Sequence, residues 1–206
     1  MRRTKSHFAG RLEFLTEAEL TMHAGRSLDV ITSATIVDSQ WERLVEPSTF
    51  AAASVVAELV DAFSEPDLAQ PEVYALLAAV VPALAGADDA RALLPRFELR
   101  LLDALGIAPA LDACVRCGHA IGAEGWLDPD AGGLLCSQCH LRGDAGRLDA
   151  GDIENLRALA APRGGPVPAA VSANPAVARA VDATVTYHLG KRARSSAFLD
   201  ELAHTP

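Results

Sequence analysis

From Leu12 to about Val37, apolar and polar residues alternate with a period of two. Ala18, Leu20 and Met22 alternate with Glu17, Glu19 and Thr21, and Leu28, Val30 and Thr32 follow a turn around His23-Ala24-Gly25. The pattern predicts two antiparallel strands, and because an isolated pair is marginal in water, they must pack on or pair with something else. After Glu46-Pro47 the period becomes helical. Phe50, Ala53, Ala57, Val60 and Phe63 form a predicted inward stripe, with Ser48 as N-cap and Pro66 closing the segment. Pro71 then opens a second helix, with Val73, Leu76, Leu77, Val80 and Leu84 inward and an end near Gly86. A third is predicted from about Asp88 to Leu105, with Leu94, Phe97, Leu101 and Leu105 inward, Gly106 as its stop, and Pro95 kinking or splitting it. These three read as a bundle. Beyond residue 140 the helical period resumes from about Asp149 to Ala160 and again after Asn174-Pro175, across a Pro- and Gly-rich loop at 161–168.

Composition supports a mainly α fold. Half of the 206 residues are hydrophobic, enough for a core, and Ala is abundant while aromatics make up 5%. The apolar run Val73 to Ala87 is interrupted by Pro82 and is shorter than a membrane span. Met1-Arg2-Arg3-Thr4-Lys5-Ser6-His7-Phe8 has no apolar stretch of the kind an export signal needs, so a cytoplasmic location is expected. The net charge of −9 is uneven: residues 1–11 carry +4 and 187–196 carry +3, leaving −16 over the rest. The pattern is an acidic body with two basic ends.

The strongest chemical signal is Cys114-Val-Arg-Cys117 followed, 18 residues later, by Cys136-Ser-Gln-Cys139. Each two-residue gap forms a tight knuckle that aims two sulfurs at one ion, and four thiolates complete a tetrahedron around Zn2+. Such a closed set leaves no position for substrate or water, which makes the site structural. Two disulfides, a redox pair or four unligated thiols are the competing readings. Confinement of all four Cys to one stretch, in a chain expected to stay in a reducing compartment, favours the metal. His119 and His140 adjoin the Cys pairs but are not needed as ligands. Trp41 and Trp126 could stack on the bases of single strands, but like Tyr187 and His188 they read first as packing residues.

The residues flanking the Cys pairs carry a resemblance. Phe97-Glu-Leu-Arg-Leu-Leu-Asp-Ala-Leu-Gly-Ile-Ala-Pro-Ala-Leu-Asp-Ala-Cys114-Val-Arg-Cys117-Gly resembles the helix-to-zinc-finger junction of the bacterial recombination mediator family RecO. Gly132-Gly133-Leu-Leu-Cys136 and Tyr187-His-Leu-Gly-Lys-Arg-Ala-Arg-Ser-Ser-Ala-Phe-Leu are similar to its finger closure and C-terminal signature, and Arg2-Arg-Thr-Lys-Ser with Gly10-Arg-Leu-Glu to its late N-terminal segment. The resemblance implies an N-terminal OB-fold, of which the last two strands are present, a helical domain and a zinc finger. The expected fold is therefore a mainly α helical bundle with a four-Cys zinc ribbon insertion and an incomplete OB-fold remnant. The expected boundaries are 1–40 for the β segment, 41–111 and 141–206 for the helical domain, and 112–140 for the ribbon.

The implied function is DNA repair in the RecF pathway: binding single- and double-stranded DNA, annealing complementary strands, and loading recombinase with RecR onto strands coated by single-stranded-DNA-binding protein, in the cytoplasm at the nucleoid. Physically, the basic ends suit phosphate, so Arg2, Arg3, Lys5, Arg11, Lys191, Arg192 and Arg194 are the expected DNA contacts. No P-loop, GxSxG, HExxH or GxGxxG motif is present, and no catalysis is expected. The alternative is a zinc-ribbon interaction module that docks proteins only.

Overall fold

The computed structural model describes residues 8, 10–26, 28–141, 146–161 and 174–203. Within them about half of the residues are helical, in seven α-helices and a 3-10 turn, with two small antiparallel sheets. None of the helices is long and apolar enough to cross a membrane. The expected hairpin is present as β1 (Glu17–His23) and β2 (Val30–Asp38), with Leu20 opposite Ala34 and irregularities at Glu17/Ala18 and Thr21/Met22. Ala34 is buried, whereas Met22, Val30, Ile36 and Val37 are exposed.

A short helix, α1 (Trp41–Leu44), precedes α2 (Pro47–Phe63). The N-cap of α2 is Glu46 rather than the predicted Ser48. The Glu46 carboxylate accepts Thr49 N–H at 2.8 Å and the Ser48 hydroxyl at 2.5 Å, which leaves Pro47 at the first helical position, where its missing N–H costs nothing. The buried face is wider than the predicted stripe: Ala53 is inside as predicted and Val60 and Phe63 pack against the core, but Ala51, Ala52, Val55, Val56 and Leu59 are buried as well, while Phe50 sits at the rim with its ring 5.5 Å from that of Phe14. The physical reason is that α2 packs against α1, α3, α4 and α7, so a helix apolar nearly all round is covered on more than one side. Next, α3 (Pro71–Gly86) buries Val73, Val80, Val81 and Leu84. The third predicted helix is split, as Pro95 suggested, into a 3-10 turn at Ala90–Leu93 and α4 (Leu94–Ala104). Gly106 ends α4 at φ 73°, a left-handed conformation that suits glycine.

After the Cys-bearing segment, α5 (Ala150–Ala160) starts with a reciprocal capping box between Asp149 and Asp152. For α6 (Pro175–Leu189), Asn174 is the cap as predicted, accepting Ala176 N–H at 2.9 Å, with Val177, Val181 and Val185 buried. The predicted loop at 161–168 lies, beyond Ala161, outside the described residues. Gly190 ends α6 at φ 69°, and α7 (Arg194–Ala203), which the hydrophobic pattern did not predict, follows at once. Its cap comes from a distant helix: Glu58 of α2 accepts Arg194 N–H at 2.9 Å, Ser195 N–H at 2.8 Å and the Ser195 hydroxyl at 2.7 Å. A carboxylate on the unpaired N–H groups of a helix start satisfies them and complements the helix dipole. Replacing Glu58 with alanine is expected to cost about 1–3 kcal/mol, seen as a lower urea midpoint with α7 amides losing hydrogen-exchange protection first.

The buried residues form two clusters. Leu44, Val56, Leu59, Leu84, Leu101 and Leu102 belong to the first, joined by Val185 and Leu199. The second contains Leu134 and Leu148 from the other sheet with Ile153, Leu156, Val177 and Val181. Helix α4 contributes to both, through Leu101 and Leu102 on one side and Leu99 on the other.

Candidate metal centre

The second sheet has β3 (Glu124–Asp128) at its centre, flanked by β4 (Gly133–Cys136) and β5 (Arg147–Asp149). Leu127, Leu134 and Leu148 lie in one cluster with α5 and α6 side chains, so a shared apolar core lays the Cys-bearing segment on the helical body. The third strand of this sheet, β5, comes from beyond residues 112–140.

Cys114 and Cys117 lie on a turn in which Gly118 N–H donates to Cys114 O at 2.8 Å and Cys114 N–H to His119 O at 2.9 Å. Gly118 takes φ 75°, which closes the knuckle. The second knuckle follows β4, with Cys139 N–H and His140 N–H both donating to Cys136 O at 3.0 and 2.9 Å. Arg116 ties the two knuckles together, its guanidinium donating to Cys139 O at 3.0 Å. All four Sγ atoms lie within 4.8 Å of one another, and Cys117 Sγ is 3.7 Å from Cys136 Sγ. That separation is far longer than a disulfide bond of about 2.05 Å. It matches the edge of about 3.8 Å that a tetrahedron with Zn–S bonds of about 2.3 Å requires. The four Cys are thus positioned to hold one metal ion, and their donor set is compatible with zinc.

Electrostatics at the quartet point the same way. Burial raises the Cys114 thiol, but N–H groups of Cys136, Cys117 and Arg116 outweigh it and bring it down to about 6. Cys139 is pushed up to about 12, first by its hydrogen bond with Cys117 and then by desolvation. One thiolate forms readily, and further ionisation is opposed until a dication compensates the charge. A tetrathiolate–zinc centre built on Cys114, Cys117, Cys136 and Cys139 would hold the two knuckles together and leave no open position for chemistry.

Two supports were not visible in the Cys spacing. His140 stacks on Trp126 with ring centroids 4.6 Å apart and planes 5° from parallel, covering a tryptophan that is 7% exposed. Gly133 pairs with Ala110, and a Cβ there would meet Ala110 O at 2.3 Å and Ala110 N at 2.8 Å. Gly133→Ala should therefore push the Ala110–Cys114 segment off the sheet, costing about 1–3 kcal/mol and lowering metal content. Gly122→Ala is the control, since its Cβ would enter open space. Thermal unfolding and metal analysis of the two variants test the contrast.

The expected DNA contacts fall into three groups. Arg2, Arg3 and Lys5 lie outside the described residues. Arg11 is exposed and donates to Ala34 O at 3.3 Å across the base of the hairpin. In the tail, Lys191, Arg192 and Arg194 are all exposed, but Arg192 is engaged by acidic neighbours, pairing with Asp200 at 2.7 Å and Asp182 at 3.4 Å. Asp200 also pairs with Arg91, so the network joins the turn before α4 to α6 and α7.

A helical body carrying a four-thiolate cluster defines a protein whose metal site is suited to architecture. The chain belongs to the family described as Recombination protein O C terminal, which matches residues 45–197. It is 34% identical over 163 residues to a DNA repair protein RecO of Symbiobacterium thermophilum, covering 77% of this chain and 64% of that protein. It is 35% identical over 153 residues to one of Nocardioides sp. (70% and 62%) and 35% identical over 163 residues to one of Frankia casuarinae (77% and 66%). The chain thus spans less than two-thirds of the length of these relatives.

Proposed function

We propose that this chain acts in DNA repair as a non-catalytic mediator that binds DNA, anneals complementary strands and assists recombinase loading in the RecF pathway, with RecR and single-stranded-DNA-binding protein as partners at the nucleoid. The observation that carries this reading is that the Cys quartet and the basic tail lie within residues 45–197, the stretch matched by the family, whose relatives are named for DNA repair. In this reading Zn2+ on the four Cys is structural, residues 112–140 are the ribbon, 41–111 with 141–206 the helical domain, and the β1–β2 hairpin within 1–40 an OB-fold remnant. Arg2, Arg3, Lys5, Arg11, Lys191, Arg192 and Arg194 contact phosphates, with Arg192 divided between DNA and its acidic neighbours.

The test is oligonucleotide annealing with purified protein across a salt series. Lys191→Ala and Lys191/Arg194→Ala are expected to slow annealing and flatten the salt dependence, since each lost phosphate contact releases fewer counterions. A second reading, a zinc-ribbon docking module without DNA binding, is favoured by the net charge of −9. Absence of DNA binding at low salt together with retained RecR binding would select it and end the mediator reading for this chain.

A further inference from the structure

Between the start of β1 and the exposed side of α3 lies a cleft of about 200 Å³, lined by Leu15, Thr16, Glu17, Asp38, Tyr74 and Val81 among others. It is smaller than a pocket for a drug-sized ligand and has room for one long side chain. Its walls are apolar, with Leu77, Val81 and Pro82 on the helical side. Its rim is acidic in an unusual way: Glu17 and Asp38 are directly opposite each other in the hairpin register, where like charges repel. Tyr74 donates its hydroxyl to Glu17 at 2.5 Å and Gln40 reaches Asp38 at 3.0 Å, yet among the described residues no cation pairs with either carboxylate. Two facing carboxylates, each with a neutral partner, leave acceptor positions that a cationic donor satisfies while relieving their mutual repulsion.

We propose that this cleft receives a basic–apolar peptide segment of a partner protein, one lysine or arginine of which lays its stem against Leu77, Val81 and Pro82 and its charged head between Glu17 and Asp38. The long aliphatic stems of these residues suit an apolar wall, and their heads supply several donors at once. The site is independent of the Cys quartet and of the basic tail, and it repels phosphate, so it does not compete for DNA.

The test uses two fluorescein-labelled pentapeptides, Leu-Lys-Leu-Arg-Leu and the counterpart with Glu in place of Lys and Arg, titrated into the intact zinc-loaded chain. The basic peptide is expected to bind, to weaken with salt, and to shift the backbone amides of Thr16, Tyr74 and Ala78, whereas the acidic one does neither. A Glu17→Gln/Asp38→Asn double variant relieves the repulsion and keeps the fold, and is expected to bind the basic peptide about tenfold or more weakly, as loss of charge-assisted contacts requires. Glu154→Gln, on the exposed side of α5, is expected to leave binding unchanged. No binding by the basic peptide, equal binding by the acidic one, or undiminished binding by the double variant overturns the proposal. So does a shift of the same amides on deleting residues 1–7 or on raising the concentration of the chain alone, which would assign the cleft to the chain's own N-terminal segment or to a second copy.

Discussion

Cys114→Ser is expected to remove the bound metal and melt the second core. Cys114 is 2% exposed, and its sulfur takes N–H groups from both knuckles, so its loss removes the most enclosed of the four ligands. Serine offers a harder, shorter ligand that does not ionise, and a three-thiolate remainder holds zinc far less tightly. Structural zinc contributes about 10–16 kcal/mol to folding in small zinc-binding peptides, comparable to the whole stability of a domain at about 5–15 kcal/mol. The first core does not touch the quartet, so α2 and α3 should persist. The expected result is metal content falling from about one ion per chain to near zero, loss of buried-Trp126 fluorescence, and a far-ultraviolet circular dichroism spectrum that remains helical. The same pattern should follow chelation of the unaltered chain. A Cys114→Ser variant that keeps one tightly bound ion and an unshifted unfolding transition would exclude the quartet as the metal site.

Features written locally were legible in the sequence. The Cys pairs, Asn174-Pro175, Gly106 and Pro95 each act through the backbone within a few residues, and each marks the turn, cap or break predicted from it. The alternation in β1 and β2 was equally local. What escaped was set by partners distant in the chain. Helix α7 begins on Glu58, 136 residues before Arg194, so no residue near Gly190 announces it. The inward face of α2 could not be chosen from a segment of Ala and Val that is apolar all round, because the choice belongs to α1, α3, α4 and α7. Arg192 read as one of three equivalent cations, yet Asp182 and Asp200 distinguish it from Lys191.

Stability is expected to fall as pH rises from about 6 to 8, and Glu98 is the reason. It sits in α4 at 5% exposure, and its carboxyl is raised from 4.5 to about 8, chiefly by desolvation, then by the nearby charge of Asp182, with Arg192 pulling the other way. A folded pKa above the unfolded one means that the folded state keeps a proton the unfolded state has released. The associated stability is complete below the unfolded pKa, declines through the interval between the two, and is gone above the folded value. The slope can reach about 1.4 kcal/mol per pH unit, hence up to about 3 kcal/mol between pH 6 and 8. Glu98→Gln keeps the shape without the titration, so its denaturation midpoint should exceed that of the parent at pH 8 by more than at pH 6. An equal difference at the two pH values would remove Glu98 as the cause. Arg192→Ala deletes the cation that lowers this carboxyl and leaves Asp182 without its pairing to Arg192, while Asp200 keeps Arg91, so it should steepen the same dependence. A loss of annealing in that variant would therefore mix a phosphate contact with a loosened α6–α7 junction, whereas Lys191→Ala, lying outside the network, reports on DNA alone.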